Sequence, residues 1–326
     1  MINKKLAVVL SITLAASALT AKADEGVKIN ALFQGWLTTD NSAAEKNNFT
    51  SRRAELKFSG SAGEKARWFI ALDPTTSASA TTTAARDLGA AWAMTDSLEV
   101  ILGYFKTLTS AEGLAAAAKT ALPEKSLVSR TFGDKRASGV QLNWKESMWK
   151  LGIMVSDYGA TPQSITDFAA NSVTTAKDIS ARFDINPMEH VTAGAFYGKA
   201  EGDVNNAMGF NAGWQDDVKS VTFEYDTAKN NASGADVTSV GWVAEGSYTW
   251  EHYTPAVRYE SFKANKDVDT ANKGWTFGVS RMMDKNAKLT ASYGIYDNMS
   301  GGHGQYAAAT SSEKTNVMTV AIQVAL

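Results

Sequence analysis

Arginine is the most telling residue type in this chain. Arg52 and Arg53 adjoin, while Arg182 and Arg258 each lie two residues from a carboxylate, Asp184 and Glu260. A guanidinium offers five donors in a fixed fork, so it can hold an anion or brace a carboxylate. Residues two apart in a strand share a face, which leaves both uses open for Arg182 and Arg258. Catalysis has little to work with. There is no cysteine, which excludes disulfides, thiolate metal sites, a cysteine nucleophile and a lipid-modified N-terminal cysteine. Only His190, His252 and His303 exist, two in short turns and one in a glycine-rich loop, with no serine and acid placed beside them. No histidine pair has zinc spacing, and Asp267-Val268-Asp269 is too short to specify calcium. No enzyme activity, cofactor or metal is expected. A net charge of −2 removes the basic footprint of a nucleic-acid binder.

The elements that must position these residues are strands. Composition is rich in aromatics and glycine and poor in proline, with nine Trp, 25 Gly and five Pro, which leans towards β-structure. Alternation with period two runs through segment after segment. Ile179, Ala181, Phe183 and Ile185 share one face, and Asp178, Ser180, Arg182 and Asp184 the other. Trp68, Ile70 and Leu72 repeat the device, as do Trp149, Leu151, Ile153 and Val155, and Leu289, Ala291, Tyr293 and Ile295. Segments of about ten residues, apolar on one face and polar on the other, are the signature of a transmembrane β-barrel. Seven short connections, such as 145–147 and 284–286, alternate with eight longer polar ones at 39–48, 74–86, 107–134, 159–174, 199–205, 227–236, 264–272 and 298–313. The expected fold is therefore an all-β, 16-stranded antiparallel transmembrane barrel over residues 24–326. Both ends lie on the short-turn side, and no plug domain is expected. Residues 1–23 read as a secretory signal peptide: basic Lys4 and Lys5, a short apolar stretch, then Ala21-Lys22-Ala23 as cleavage site.

Alternation also assigns faces to the charges. Arg53, Lys57, Arg67, Lys150, Arg182 and Arg258 point inward, as do Glu55, Asp73, Glu99, Asp178, Asp184, Glu224, Asp226, Glu245 and Glu260. Acids outnumber bases on this wall. An inward direction is expected because an arginine at the lipid midplane costs ~2–4 kcal/mol. Arg52, of opposite parity to Arg53, is expected outward at the rim against lipid headgroups. Arg281 is expected to snorkel at the short-turn interface. Connection 107–134 is the longest and holds a helix-prone run, Ala111 to Lys119. Long loops with structure of their own are usually functional, and folding inward this one would bring Lys119, Lys125 and Arg130 to a constriction. There they would outweigh the acidic wall, and replacing Lys125 and Arg130 by Glu should reverse the ion preference.

Several segments resemble the phosphate-selective porin O/P family: Ser51-Arg52-Arg53-Ala54-Glu55-Leu56, Gly103-Tyr104-Phe105-Lys106 with Ser110-Ala111-Glu112-Gly113-Leu114, Glu124-Lys125-Ser126-Leu127, Lys135 to Leu142, Gly241 to Tyr248, and Ala256-Val257-Arg258-Tyr259. The resemblance implies a bacterial outer-membrane trimer of sixteen-stranded barrels whose third outer loop folds into the lumen and whose pore arginines and lysines bind anions. The chain departs from that family in ending Gln323-Val324-Ala325-Leu326 without an aromatic, and in a wall too acidic for strong phosphate selectivity. The expected function is passive diffusion of small hydrophilic solutes and inorganic ions across the outer membrane, with weak anion preference. Candidate pore-lining residues are Arg53, Lys57, Arg67, Lys119, Lys125, Arg130, Arg182 and Arg258. Partners would be those solutes and ions, outer-membrane lipid and two further copies of the chain. The alternative is a structural or surface-recognition barrel closed by its long loop.

Overall fold

A computed structural model describes residues 26–40, 47–76, 85–133, 135–157, 177–200, 206–230, 237–267, 271–298 and 314–326. The expected signal peptide, His303, and Val268 with Asp269 lie outside these residues. Sixteen strands follow one another: β1 Val27–Asp40, β2 Asn47–Ala62, β3 Ala66–Leu72, β4 Ala85–Ala93, β5 Leu98–Lys106, β6 Arg136–Lys145, β7 Trp149–Asp157 and β8 Lys177–Met188. The second half comprises β9 Val191–Ala200, β10 Asn206–Gln215, β11 Lys219–Asn230, β12 Val237–Tyr248, β13 Tyr253–Lys263, β14 Asn272–Asp284, β15 Ala287–Asp297 and β16 Lys314–Ala325. Each pairs antiparallel with its sequence neighbours, and β1 pairs β16 from Leu32↔Ala325 to Asp40↔Val317, closing the barrel. Leu326 and Ala31 exchange backbone hydrogen bonds of 2.9 and 3.2 Å at that seam. Closure leaves no edge whose backbone groups would be stranded in lipid.

The alternation of the sequence becomes the two faces of the wall. On β8, Ile179 and Phe183 are 55% and 42% exposed on the outside, while Ser180 and Arg182 are buried within. Trp144 and Trp149 meet across a short turn with ring centroids 5.4 Å apart. The Arg281 guanidinium lies 5.3 Å over the Tyr253 ring at another. Interfacial rings and snorkelling cations of this kind mark where the strands leave the hydrocarbon.

Strict alternation fails at two arginines. In the β1–β2 ladder Gln34 faces Arg53 and Gly35 faces Ser51, so Arg52 is an extra, unpaired residue. In the β3–β4 ladder Ala71 faces Asp87 and Leu72 faces Ala85, which leaves Arg86 extra. Each is a β-bulge, which bends the strand and re-aims a side chain. Arg52 therefore does not point to headgroups as parity predicts. Its Nε donates to Glu124 at 2.9 Å, inside the barrel.

Candidate functional site in the barrel lumen

The connection from β5 to β6 folds into two short helices, α1 Ala111–Leu114 and α2 Leu127–Phe132. Serine caps start both. Ser110 Oγ accepts from Gly113 N and Ser126 Oγ from Ser129 N, each at 3.0 Å, which satisfies amide groups that a helix start leaves bare. Glu112 then ties the helices together by accepting from Ser126 N at 2.9 Å and from the Ser126 hydroxyl.

The wall holds this segment from many sides. Arg182 on β8 donates to the Thr109 carbonyl at 2.8 Å. Glu224 on β11 accepts from the Ala111 and Glu112 amides at 2.7 and 3.1 Å. Arg258 on β13 donates to the Glu124 carbonyl at 2.8 Å and to Glu112 at 3.1 Å, and Glu260 accepts from the Leu127 amide. Lys288 on β15 and Gln323 on β16 donate to the Thr120 and Ala118 carbonyls at 2.9 and 3.2 Å. Strands so far apart around the wall are reached together only across the lumen. Two apolar clusters add to the seat. Leu108 packs on inward Ile101, Phe105 and Met154, and Leu127, Val128 and Phe132 pack on Val243 and Phe262. Gly241 makes room for α2, since a Cβ there would stand 2.9 Å from a Val128 methyl.

The candidate cations thus divide by role. Arg182 is buried and also bonds Asp184 at 2.6 Å and Asn211 at 2.7 Å. Arg258 is buried between Glu245 at 2.6 Å and Glu112 at 3.1 Å. Lys125 is 4% exposed, its Nζ on the Gly113 carbonyl at 2.8 Å. Arg130 lies with its Nε 3.4 Å from the Ser126 carbonyl and its charge beside Glu124 and Glu260. These four brace the loop, and Lys125 and Arg130 are not the free constriction charges that the sequence suggested. Arg53 bonds Gln34 at 2.7 Å and Glu124 at 3.3 Å. Lys57 pairs Glu55 at 2.9 Å with its side chain 46% exposed. Arg67 pairs Glu99 at 2.8 Å near the short-turn end, away from the loop. Lys119 is exposed in the 3₁₀ turn Ala117–Lys119.

An opening of about 570 Å³ lies between the β2–β6 wall and the loop residues Leu114, Ala115, Ala116 and Ala117. Its wall carries Arg53, Lys57, Arg86, Lys106 and Arg136 against Glu55 and Asp87, with Lys125 at the edge. Arg86 bridges Glu55 and Asp73 at 3.1 and 3.2 Å, and Arg136 bonds Asp87 at 2.8 Å. Here cations exceed acids, and the facing loop presents an aliphatic, uncharged surface. The acidic count from the sequence misleads for a physical reason: Glu224 and Glu260 are buried under the loop, accepting from its amides. Sequence reasoning turned Arg52 outward and missed Arg86, Lys106, Arg136 and Lys288. The first two sit on bulges, and Lys106 and Arg136 at strand ends where parity no longer decides direction.

Glu124 is the loop's main electrostatic anchor. Burial would raise its carboxyl, but the Arg52, Arg53 and Arg130 charges outweigh that and hold it down at about 2. Asp226, two residues from Glu224 on β11, is fully buried and its oxygens meet no donor among the described residues.

Known proteins place this geometry. The anion-selective porin of Comamonas acidovorans superposes with TM-score 0.68 at 12% identity, over 92% of this chain and 99% of that one. The outer-membrane protein OmpT of Vibrio cholerae, in-vitro folded, gives 0.68 at 11%, over 94% and 99%. The outer-membrane channel DcaP of Acinetobacter baumannii gives 0.61 at 14%, over 92% and 97%. At such identities these likenesses speak to the fold alone. No curated protein matches the sequence. The likeness to the phosphate-selective O/P porins remains one of short segments. The sequence match that spans the chain, over residues 8–301, is to the Gram-negative porins, and with a closed outer-membrane barrel around an inward segment, the protein belongs to that family.

Proposed function

We propose that this porin is a passive diffusion channel for small hydrophilic solutes and ions, with a weak anion preference set by the wall of β2, β4 and β6. One observation carries the reading: at the opening, Arg53, Lys57, Arg86, Lys106 and Arg136 face a loop surface of Leu114 and three alanines. Charged rings at a constriction set the sign of selectivity, and carboxylates tied up behind the loop contribute less across the roughly 8 Å screening length of physiological salt. The ion pairs on Glu55 and Asp87 keep the cations partly neutralised, which argues for a weak preference rather than tight phosphate binding. Assembly as a trimer completes the proposal, supported by the segment resemblance and by the trimeric form in which Vibrio cholerae OmpT is known. The reading needs no catalytic step.

The decisive measurement is the single-channel reversal potential in a potassium chloride gradient. The expected sign favours chloride, and Lys57→Glu, at the most exposed cation of the opening, should move the potential towards cation preference. A cation preference in the wild type, or a reversal potential indifferent to Lys57→Glu, would place the selectivity elsewhere.

A further inference from the structure

One row of inward side chains crosses the seam where the barrel closes. Arg53 on β2 faces Gln34 on β1, Gln34 faces Gln323 on β16, and Gln323 faces Lys288 on β15. Residues directly opposite on paired strands share a face, and Arg53, Gln34 and Gln323 are all buried.

The hydrogen bonds along this row run in one sense. Arg53 Nη1 donates to Gln34 Oε1 at 2.7 Å, Gln34 Nε2 donates to Gln323 Oε1 at 2.7 Å, and Gln323 Nε2 donates to the Ala118 carbonyl at 3.2 Å. Lys288 Nζ ends the row on the Thr120 carbonyl at 2.9 Å. A primary amide accepts through its oxygen and donates through its nitrogen, whereas a guanidinium only donates. Arg53 therefore claims the oxygen of Gln34, which leaves the Gln34 nitrogen for Gln323 and the Gln323 nitrogen for the loop. Bonds in such a chain polarise one another in a buried setting. Reversing either amide would set oxygen against oxygen at one end.

Ala118 belongs to the turn that forms the loop side of the opening. Leu114 to Ala117 line that opening. Lys119 N donates to the Ala116 carbonyl at 3.0 Å and the Thr120 hydroxyl to the Ala117 carbonyl at 3.0 Å, so the turn is closed on itself and moves as one piece. Its alanines present little surface to grip. The carbonyls of Ala118 and Thr120 seat it on the row instead, and Arg53 holds Glu124 at 3.3 Å from the row's other end.

We propose that Gln34 and Gln323 are positioning residues of the channel. They carry the donor sense of Arg53 across the seam to the Ala118 carbonyl, and so set how far the Ala115–Ala117 edge stands from the cationic wall. The proposal rests on the opening being the permeation path.

Gln34→Glu reverses the sense while keeping a partner for Arg53. The new carboxylate accepts from Arg53 but has no donor for Gln323. Gln323 must then turn its nitrogen towards residue 34 and its oxygen towards the Ala118 carbonyl, two acceptors face to face. In the full-length barrel, amide exchange across residues 115–120 should accelerate about tenfold, the loss of one buried hydrogen bond, and open-channel current noise should rise with it. Gln323→Met, close to Gln in length but without a donor, should act likewise with no charge added. Gln323→Lys in the Gln34→Glu background should restore both readings, because an ammonium donates to the new carboxylate and to the Ala118 carbonyl together. All three variants should keep the heat-dependent gel shift of a folded barrel. Wild-type exchange in folded Gln34→Glu and Gln323→Met, or acceleration that Gln323→Lys leaves in place, would overturn the proposal. So would accelerated exchange with current noise and conductance unaltered, because the turn would then not be the edge of the ion path. A wild type that passes no current would refute the channel itself, and exchange across 115–120 would still decide whether the row seats the turn.

Discussion

Removing the Glu124 charge should loosen the loop by an amount the structure specifies. Glu124 Oε2 lies 2.7 Å from Arg52, Oε1 lies 3.3 Å from Arg53, and its backbone carbonyl takes Arg258 at 2.8 Å. With its carboxyl at about 2 against an ordinary 4.5, the seated loop prefers the ionised form by about 3 kcal/mol, at 1.36 kcal/mol per pH unit. That contribution is complete above about pH 4.5, because a lowered carboxyl holds its proton less tightly when folded. It fades as pH falls from there to about 2. Glu124→Gln keeps the shape but leaves Arg52 and Arg53 facing a neutral amide, and breaking a buried pair is costly. Amide exchange at 124–132 reads the loop's opening free energy. At pH 7 the variant should lose roughly two orders of magnitude of protection, and the gap should close as pH approaches 2. Unchanged protection at pH 7, or a gap that persists at pH 2, would refute the assignment of Glu124 as anchor.

Two substitutions test the wall beneath the loop. Asp226 is buried without a donor among the described residues, so Asp226→Asn should leave the melting temperature in detergent unchanged or higher, the buried charge being the costly form; a clear fall would reveal a partner for the carboxylate. Gly241→Leu drives a side chain into Val128, whose methyl stands 2.9 Å from the nearest possible Cβ. Overpacking of this kind costs about 1–3 kcal/mol, and exchange across Leu127–Phe132 should accelerate while β11–β13 stay protected.

The barrel was legible because lipid enforces a simple rule on every strand. Ile179 and Phe183 face hydrocarbon and Arg182 cannot, so alternation alone gives strand count, closure and the inward direction of Arg53, Arg182 and Arg258. The length and helix propensity of connection 107–134 announced a structured loop. What alternation could not give was which inward charges remain free. That depends on where the loop lands: its amides occupy Glu224 and Glu260, and its carbonyls occupy Arg182, Arg258 and Lys125. Those contacts join residues more than 70 positions apart in most cases, and no local pattern encodes them. The wall of the lumen was also expected to be polar throughout. Inward Phe105, Met154 and Phe262 are apolar because the loop, rather than water, covers them.

Arg52 and Arg86 were hidden by the rule that made the rest visible, yet they left a trace. Each stands beside a charged neighbour near the long-loop end of a strand, Arg53 and Asp87. Two adjacent charges in a spanning strand cannot both avoid lipid under period two, and an extra residue in one strand resolves the conflict. This makes the bulge itself testable by deletion. With Arg52 absent, Ser51 would follow Arg53 directly in register, Gly35 and Gln34 keeping the partners they have now. No other side chain changes face. The shortened protein should therefore fold, keep the gel mobility of the closed barrel, and lose only what Arg52 itself supplies: its bond to Glu124, its carbonyl's bond from the Thr75 hydroxyl and its guanidinium over the Trp36 ring. Deleting Phe58 instead leaves five residues between the loss and the bulge, Arg53 to Lys57, and a one-residue slip turns that whole stretch to the wrong side. The Phe58 deletion should fail to fold where the Arg52 deletion succeeds. If both deletions fail alike, or both fold alike, Arg52 is not a spare residue in the ladder.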